Sequence, residues 1–371
     1  MGAPSAAQAD ELIQHVAEAV APFNLRIGRD IICSAFPYGF KPSHKSAAVV
    51  AFFGSVGVSE VGLDAVLRSR TPVLPVASSA DLFAEEIPKQ LQKLSCLFYD
   101  SHGTPRISIA LLECLELLPR QRRVFVSYRR DEARAAALQL FNALSSRLFD
   151  TFLDTHGIPP ADDFQATVWH RLCDSDVLIM VDTPSYFDSR WTSAEYGRAL
   201  AKGISVLRIG WPGVVPSPRT STASQYNLKD DEINVATGSL TEQALENICI
   251  QLEVVRCQSH AVRSLSLFSN LQQGVERIGG TIAGVGLHNA VYVRLPDGND
   301  VVVYPSVRAP TSISLQDAAD RVPGRSVAVL YDHIGLAEAY LKHLGWLGEN
   351  IKSVRWVRAS EAAWTLAGWD V

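Results

Sequence analysis

At 371 residues the chain is longer than a single core usually organises, so two or three domains are expected. A 47% hydrophobic content supports globular folding, while 20% charged residues and a net charge of -5 lack the basic excess that draws a protein to a phosphate backbone. Nucleic acid is therefore excluded as an expected partner, and the short run Arg120, Arg122, Arg123 reads as a solvated strand edge.

The six cysteines, Cys33, Cys96, Cys114, Cys173, Cys249 and Cys257, form no Cys-x-x-Cys pair and meet no clustered histidines. That pattern argues against a zinc site and a disulfide framework, and for a reducing compartment. The Met-Gly-Ala-Pro start soon reaches Asp10 and Glu11, without the basic region and apolar core of a secretory signal. No apolar stretch approaches the roughly 18 to 20 residues that span a bilayer. A soluble, cytoplasmic protein without metal or membrane contact is expected.

In chain order, residues 12–20 read as a helix, 30–35 and 47–53 as short strands, 63–69 as a helix, 72–76 as a strand and 86–94 as a helix. This alternation predicts a small α/β domain over residues 1–118. The second segment repeats the rhythm more completely. A strand at 123–127 precedes a helix with Leu138, Phe141, Leu144 and Leu148 on one face, and a short strand follows at 151–154. Phe164, Val168 and Leu172 mark another helix face, followed by a strand at 176–181, a helix at 194–202 and a strand at 205–209. Strands separated by helix-length segments predict a parallel sheet covered on both faces, with ligands at its carboxyl edge.

Residues 213–238 are rich in Pro, Ser, Thr and Asp and read as a long loop, followed by a helix at about 241–254. The expected organisation is a domain at 119–212, a loop and connecting helix over 213–264, and a C-terminal α/β domain over 265–371. In that last region residues 290–294 and 301–304 flank the turn Pro296-Asp297-Gly298-Asn299 as a hairpin, before further α/β alternation at 326–331, 336–344 and 353–357. Ser59-Glu60-Val61-Gly62 echoes Ala194-Glu195-Tyr196-Gly197, which makes the first domain either a degenerate relative of the second or an unrelated α/β unit. Gly279-Gly280 with Gly284 and Gly286 lacks the strand-to-helix context of a dinucleotide fingerprint.

The chemistry-bearing motifs lie in the second segment. Val124-Phe125-Val126-Ser127-Tyr128-Arg129-Arg130-Asp131 is a strand running into a basic loop. Then come Phe152-Leu153-Asp154, Ile158-Pro159-Pro160 with Asp163-Phe164, Ser175 to Val181, and Ser189-Arg190-Trp191 with Glu195. In order and spacing this series resembles the TIR (Toll/interleukin-1 receptor) domain family, over about 90 of the 371 residues.

The resemblance implies a flavodoxin-like parallel sheet, here central and flanked by two smaller α/β domains. It implies two broad functions: scaffolding of signalling assemblies, and cleavage of the N-glycosidic bond of NAD+. Trp191 and Glu195 reproduce the Trp-to-Glu spacing of the NAD-cleaving members, in which the glutamate is catalytic. Arg129 and Arg130 match the basic pair after the first strand, and Phe164 matches the aromatic residue near a ring of the substrate. Ser127, Tyr128, Asp154 and Trp191 complete the expected NAD-binding set, with NAD+ as substrate and no cofactor. Family members are commonly active when their TIR domains associate, so homo-oligomerisation through TIR–TIR contacts is expected. A nucleotide or protein activator and a role in bacterial antiphage immunity also follow from the resemblance. Ala161 stands where many bacterial members have Gly, which leaves the self-association geometry of that loop open.

Physical chemistry gives the glutamate separate support. Nicotinamide leaves as a neutral base from a pyridinium, so one carboxylate that stabilises the oxocarbenium-like transition state is enough. Arginines can hold a pyrophosphate by charge-assisted bonds, and Trp191 or Phe164 can stack on a ring. Each residue also has an ordinary structural role. Thr192 and Glu195 fit a Thr-x-x-Glu capping box, which would make Glu195 a helix cap. Trp191 and Phe164 suit a core, Arg129 and Arg130 a solvated loop, and Asp154 a strand-end cap. The competing readings of the whole are a non-catalytic TIR adaptor and a nucleotide sensor whose flanking domains bind a cyclic or ADP-ribose-type messenger.

Overall fold

The computed structural model describes residues 1–34, 47–153, 164–234, 236–351 and 353–369; of residues 164–166 it describes the backbone alone. The chain forms two compact units, Met1–Arg120 with Val285–Ala290, and Gln121–Gly284 with Val291–Val371.

In the first unit, α1 (Ala6–Val20) packs against α4 (Tyr99–Cys114). Between them β1 (Val50–Phe53), α2 (Leu63–Arg68), β2 (Val73–Ala77), α3 (Phe83–Glu86) and β3 (Leu97–Phe98) build a three-stranded parallel sheet in the order β1-β2-β3. Phe52, Leu63, Ala77, Ile87 and Leu91 form its core. Two expectations fail here. Residues 30–34 carry only an isolated bridge between Ile27 and Ile31, and the expected helix at 86–94 is the single turn α3 followed by turns. Apolar content without a sheet neighbour or a helical run of contacts is not enough to fix either element. The echo does not extend to local structure: Gly62 caps α2 in the left-handed region, at φ 85°, whereas its counterpart Gly197 lies inside the helix Arg190–Ala201.

The second unit opens with β4 (Arg122–Ser127), α5 (Arg130–Ser146), β5 (Phe149–Leu153), α6 (Phe164–Cys173), β6 (Val177–Asp182), α7 (Arg190–Ala201), β7 (Ser205–Gly210) and β8 (Ser224–Asn227). Its five strands are all parallel, in the order β5-β4-β6-β7-β8. This is the flavodoxin-like order, in which successive crossovers change direction beside β4. Every residue of β6 is buried, as a central parallel strand covered on both faces requires. Residues 213–238, read as a loop, thus contribute the fifth strand. They also supply β9 (Ile233–Asn234), paired with β10 (Ser239–Leu240). On α5 the buried positions are Ala133, Ala136, Ala137, Leu140 and Leu144, while Leu148 lies beyond the helix end at 81% exposure. The face predicted from the larger side chains is therefore displaced: small alanines let α5 sit close to the sheet.

A helix expected to end near residue 254 is α8 (Glu242–Arg277), 36 residues and about 54 Å long. Ile248, Leu252 and Val255 pack on the core of the first sheet, and Leu267, Leu271 and Val275 on that of the next. Between them Arg256, Ser259, His260 and Arg263 interrupt the apolar spacing, yet all four are buried. They surround Asp176, at the foot of β6. Its carboxylate accepts from Arg256 Nε at 3.1 Å and from Arg308 Nε at 3.0 Å, with Arg263 at 3.9 Å. Burial raises the Asp176 pKa, but the charges of Arg308 and Arg256 outweigh it and hold the carboxyl well below the usual carboxylate range.

Beyond α8 come β11 (Thr281–Val285), β12 (Val291–Arg294), β13 (Asp300–Ser306), α9 (Ser312–Arg321), β14 (Ser326–Tyr331), α10 (Glu338–Asn350), β15 (Val354–Arg358) and α11 (Ala362–Ala367). These strands form a second five-stranded sheet in sequential order, with β12 and β13 antiparallel as the hairpin predicts and β13, β14 and β15 parallel. No helix among the described residues is long and apolar enough to cross a membrane.

Candidate functional site

The carboxyl end of β4 is where the fold builds a site. Ser127 is the last residue of that strand and 1% exposed; Tyr128 follows, buried, and Arg129 and Arg130 begin α5 without a side-chain cap. Opposite them, α7 starts at Arg190. Its N-cap is Ser189, whose hydroxyl accepts from the Trp191 and Thr192 backbone N–H groups at 3.3 and 3.5 Å.

That cap decides the competing role of the glutamate. With Ser189 at the helix terminus, Thr192 sits within the first turn and Glu195 in the second, so the Thr-x-x-Glu capping box is not formed. Thr192 instead donates its hydroxyl to the Tyr186 carbonyl, and Ser193 donates to the Phe187 carbonyl at 3.1 Å. These bonds fasten the start of α7 to the turn that leaves β6.

The Glu195 side chain, 7% exposed, points back to the strand. Ser127 Oγ donates to Glu195 Oε2 at 2.5 Å and lies 2.7 Å from the Tyr186 hydroxyl. The single serine proton is committed to the carboxylate, so Tyr186 donates to Ser127 Oγ and a chain of two hydrogen bonds ends on Glu195. Burial, then the neighbouring Glu195 charge, pushes the Tyr186 phenol well above its ordinary pKa, so it stays a neutral donor.

A cavity of about 590 Å³ opens over this chain, within the range of small-molecule sites. Ser127, Tyr128, Arg129, Arg130, Trp191 and Glu195 all line it, so the structure brings six of the eight expected residues to one place. Trp191 is 40% exposed, with the Arg190 guanidinium 4.7 Å from its ring centre, so it is a wall and not a core residue. Arg129 is half-buried and Arg130 exposed. Asp154 lies outside the described residues, as does the Phe164 side chain, together with the segment 158–163 read from the sequence as a functional loop.

Two contributors are not among the residues the sequence points to. Tyr186 donates to Ser127, and Trp169 of α6 lines the cavity under the Arg198 guanidinium, 3.7 Å from its ring centre; Ser189, which the sequence offers only as part of a motif, caps α7. Tyr186 has only a positional signal: it lies four residues past the end of β6, at the edge of a parallel sheet where ligands gather. For Trp169, between the core residues Val168 and Leu172, the sequence offers none.

A protein-family model described as "TIR domain" matches residues 124–237. The match begins within β4 and reaches past β8, so it touches all five strands of the sheet β5-β4-β6-β7-β8. Comparison with curated proteins finds no match.

Proposed function

We propose, from the premise that residues 124–237 form a TIR domain, that the chain cleaves the N-glycosidic bond of NAD+ and releases nicotinamide. The observation that carries this reading is the buried Glu195 carboxylate, oriented by the Ser127 hydroxyl on the wall of a ligand-sized cavity. A glutamate released from helix capping and held toward a cavity is poised for chemistry rather than for helix stability.

In the proposed reaction the C1'–N bond breaks with its electron pair passing to the pyridinium nitrogen, so nicotinamide departs neutral without protonation. Positive charge then builds on the ribose ring, and the Glu195 carboxylate stabilises it. Water attacks C1', its proton passes to Glu195 and then to solvent, and ADP-ribose results. Capture of C1' by the substrate's own adenine gives a cyclic product instead. The Ser127–Tyr186 chain holds the carboxylate in place, so little reorganisation is needed as charge develops. Arg129, Arg130 and the N-terminus of α5 suit the pyrophosphate, and Trp191 offers a face for a ring. The proposal includes activation by homo-oligomerisation, and a defence role in a bacterial cytoplasm.

The test is chromatography of NAD+ incubated with concentrated wild-type protein and with Glu195→Ala. Nicotinamide release by the wild type alone is expected. Equal release by both proteins removes Glu195 from the mechanism. No release by either, with oligomers present by light scattering, favours a non-catalytic adaptor.

A further inference from the structure

A second cavity, of about 560 Å³, lies entirely within the second unit and away from Glu195. It sits at the carboxyl ends of the parallel strands β13, β14 and β15, where Val307, Asp332 to Ile334 and Ala359 to Ser360 leave them. This is the edge of an α/β sheet at which ligands gather. The opposite walls are α8 and residues 200–203 at the end of α7.

The lining has a definite chemistry. Lys202, Arg263 and Arg277 contribute to its lining against one carboxylate, Asp332, in a chain whose net charge is -5. Lys202 and Asp332 hold each other: the ammonium donates to the Asp332 carboxylate at 2.7 Å and to its carbonyl at 2.9 Å. Arg263 is 6% exposed, and its two terminal nitrogens find no hydrogen-bond partner among the described residues. Its nearest carboxylate, Asp176, already accepts from Arg256 and Arg308. Burial draws the Arg263 guanidinium down to about 10, which leaves it charged at neutral pH. This charge lies behind the cavity wall and favours an anion in front of it, while the exposed guanidinium of Arg277 on the same lining can meet a phosphate directly.

The rest of the lining favours hydroxyls. Ser266, Asn270, Gln273 and Arg277 recur at intervals of four, three and four residues, one continuous face of α8, and Ser360 faces the same cavity. These side chains both donate and accept, as the hydroxyls of a sugar require. Among the described residues no Phe, Tyr or Trp lines the cavity, and the imidazole of His333 is its one aromatic ring, so a nucleobase would find little to stack on.

The loop after β14 is firmly seated. Gly335 has φ 78°, and a Cβ there would lie 2.2 Å from Cys173 Sγ of α6, so only glycine brings the loop this close. With Lys202 anchoring Asp332, that wall is preformed.

We propose that this cavity binds a phosphorylated sugar, its phosphate met by Arg277 and drawn by the buried charge of Arg263, and its hydroxyls held by the polar face of α8. The site is independent of NAD+ cleavage, because binding is measured whether or not the chain is catalytic.

The experiment is isothermal titration calorimetry of the full chain with ribose 5-phosphate, ribose, inorganic phosphate and AMP. The variants are Arg277→Gln, which removes an exposed cation, and Ser266→Trp, which fills the cavity from an exposed helix position. Circular dichroism checks that both stay folded. Saturable binding of ribose 5-phosphate is expected, at least tenfold tighter than ribose or phosphate alone. Arg277→Gln should weaken it about tenfold, and Ser266→Trp should abolish it. Absence of binding, phosphate binding as tightly as the sugar phosphate, AMP binding more tightly than it, or folded Ser266→Trp binding unimpaired would each overturn the proposal.

Discussion

Ser127 and Glu195 are 68 residues apart in sequence and 2.5 Å apart in space, the serine hydroxyl donating to the carboxylate that lines the cavity. The strand fixes the serine and the helix fixes the glutamate, so their bond measures how well β4 and α7 are docked. Ser127→Ala removes the restraint but leaves the carboxylate. If Glu195 acts in the transition state, kcat for nicotinamide release should fall about 10- to 100-fold while KM stays within about twofold. A change confined to KM would show instead that Ser127 only shapes the binding surface. Tyr186→Phe, which removes one buried hydroxyl, should cost about 1 kcal/mol of stability in urea denaturation.

Trp191 offers a partly exposed aromatic face on the same cavity. Trp191→Ala should raise KM for NAD+ about tenfold, in line with the roughly 1 to 3 kcal/mol of base–aromatic stacking, and leave kcat within about threefold. Stability should change by less than about 1 kcal/mol, because so exposed a side chain contributes little to the core. Loss of folding in this variant would return Trp191 to a purely structural role.

Asp176 is fully buried among Arg256, Arg263 and Arg308. Asp176→Asn leaves those guanidinium groups uncompensated and should destabilise the second unit by about 3 to 5 kcal/mol. Because the folded-state pKa of Asp176 is depressed, its stabilisation is complete above the ordinary carboxylate range and is lost as pH falls below it. Urea midpoints of wild type and variant should therefore converge toward acid pH, and a constant difference between them down to pH 3 would contradict the linkage.

His260 packs beside the same cluster, and burial, then the charge of Arg263, lowers its pKa from 6.5 to about 3. The unfolded chain takes up a proton near pH 6.5 that the folded chain refuses, so stability falls as pH drops from about 6.5 toward 3. The slope from this one group approaches about 1.4 kcal/mol per pH unit. His260→Gln should flatten the stability curve between about pH 6 and 4.5, before most carboxylates titrate. An unchanged slope in that window would place the proton elsewhere.

The parts of the site legible in the sequence were those that the strand itself presents. Ser127 to Arg130 continue an apolar run into a polar loop, and Trp191 and Glu195 stand together at the start of a helix, so both patterns survive in one dimension. Tyr186 has a suggestive place just past β6, but nothing in its neighbours tells a core phenol from one bonded to Ser127. Thr192 and Glu195 match a capping box locally. The box does not form because Ser189, three residues earlier, supplies the cap, and helix ends are settled by backbone geometry rather than by which candidate side chain is present. The length of α8 was hidden by its own buried charges: Arg256, His260 and Arg263 break the apolar period and read as a solvated end, although they are covered by β6 and the segment after β13.

By itself the sequence determined the alternation of strands and helices, the parallel sheet and the identity of the loop that carries Ser127 to Arg130. Hydrophobic periodicity and motif order are local properties, and they persist whatever the strand order. Only the tertiary structure decided that β8 completes the first sheet, that Glu195 meets Ser127 rather than a helix end, and that three arginines close on Asp176. Each depends on the order in which strands pair and on the residue at which a helix begins. Those are set by packing between segments distant in sequence, where a buried polar group is stable only if its partner arrives.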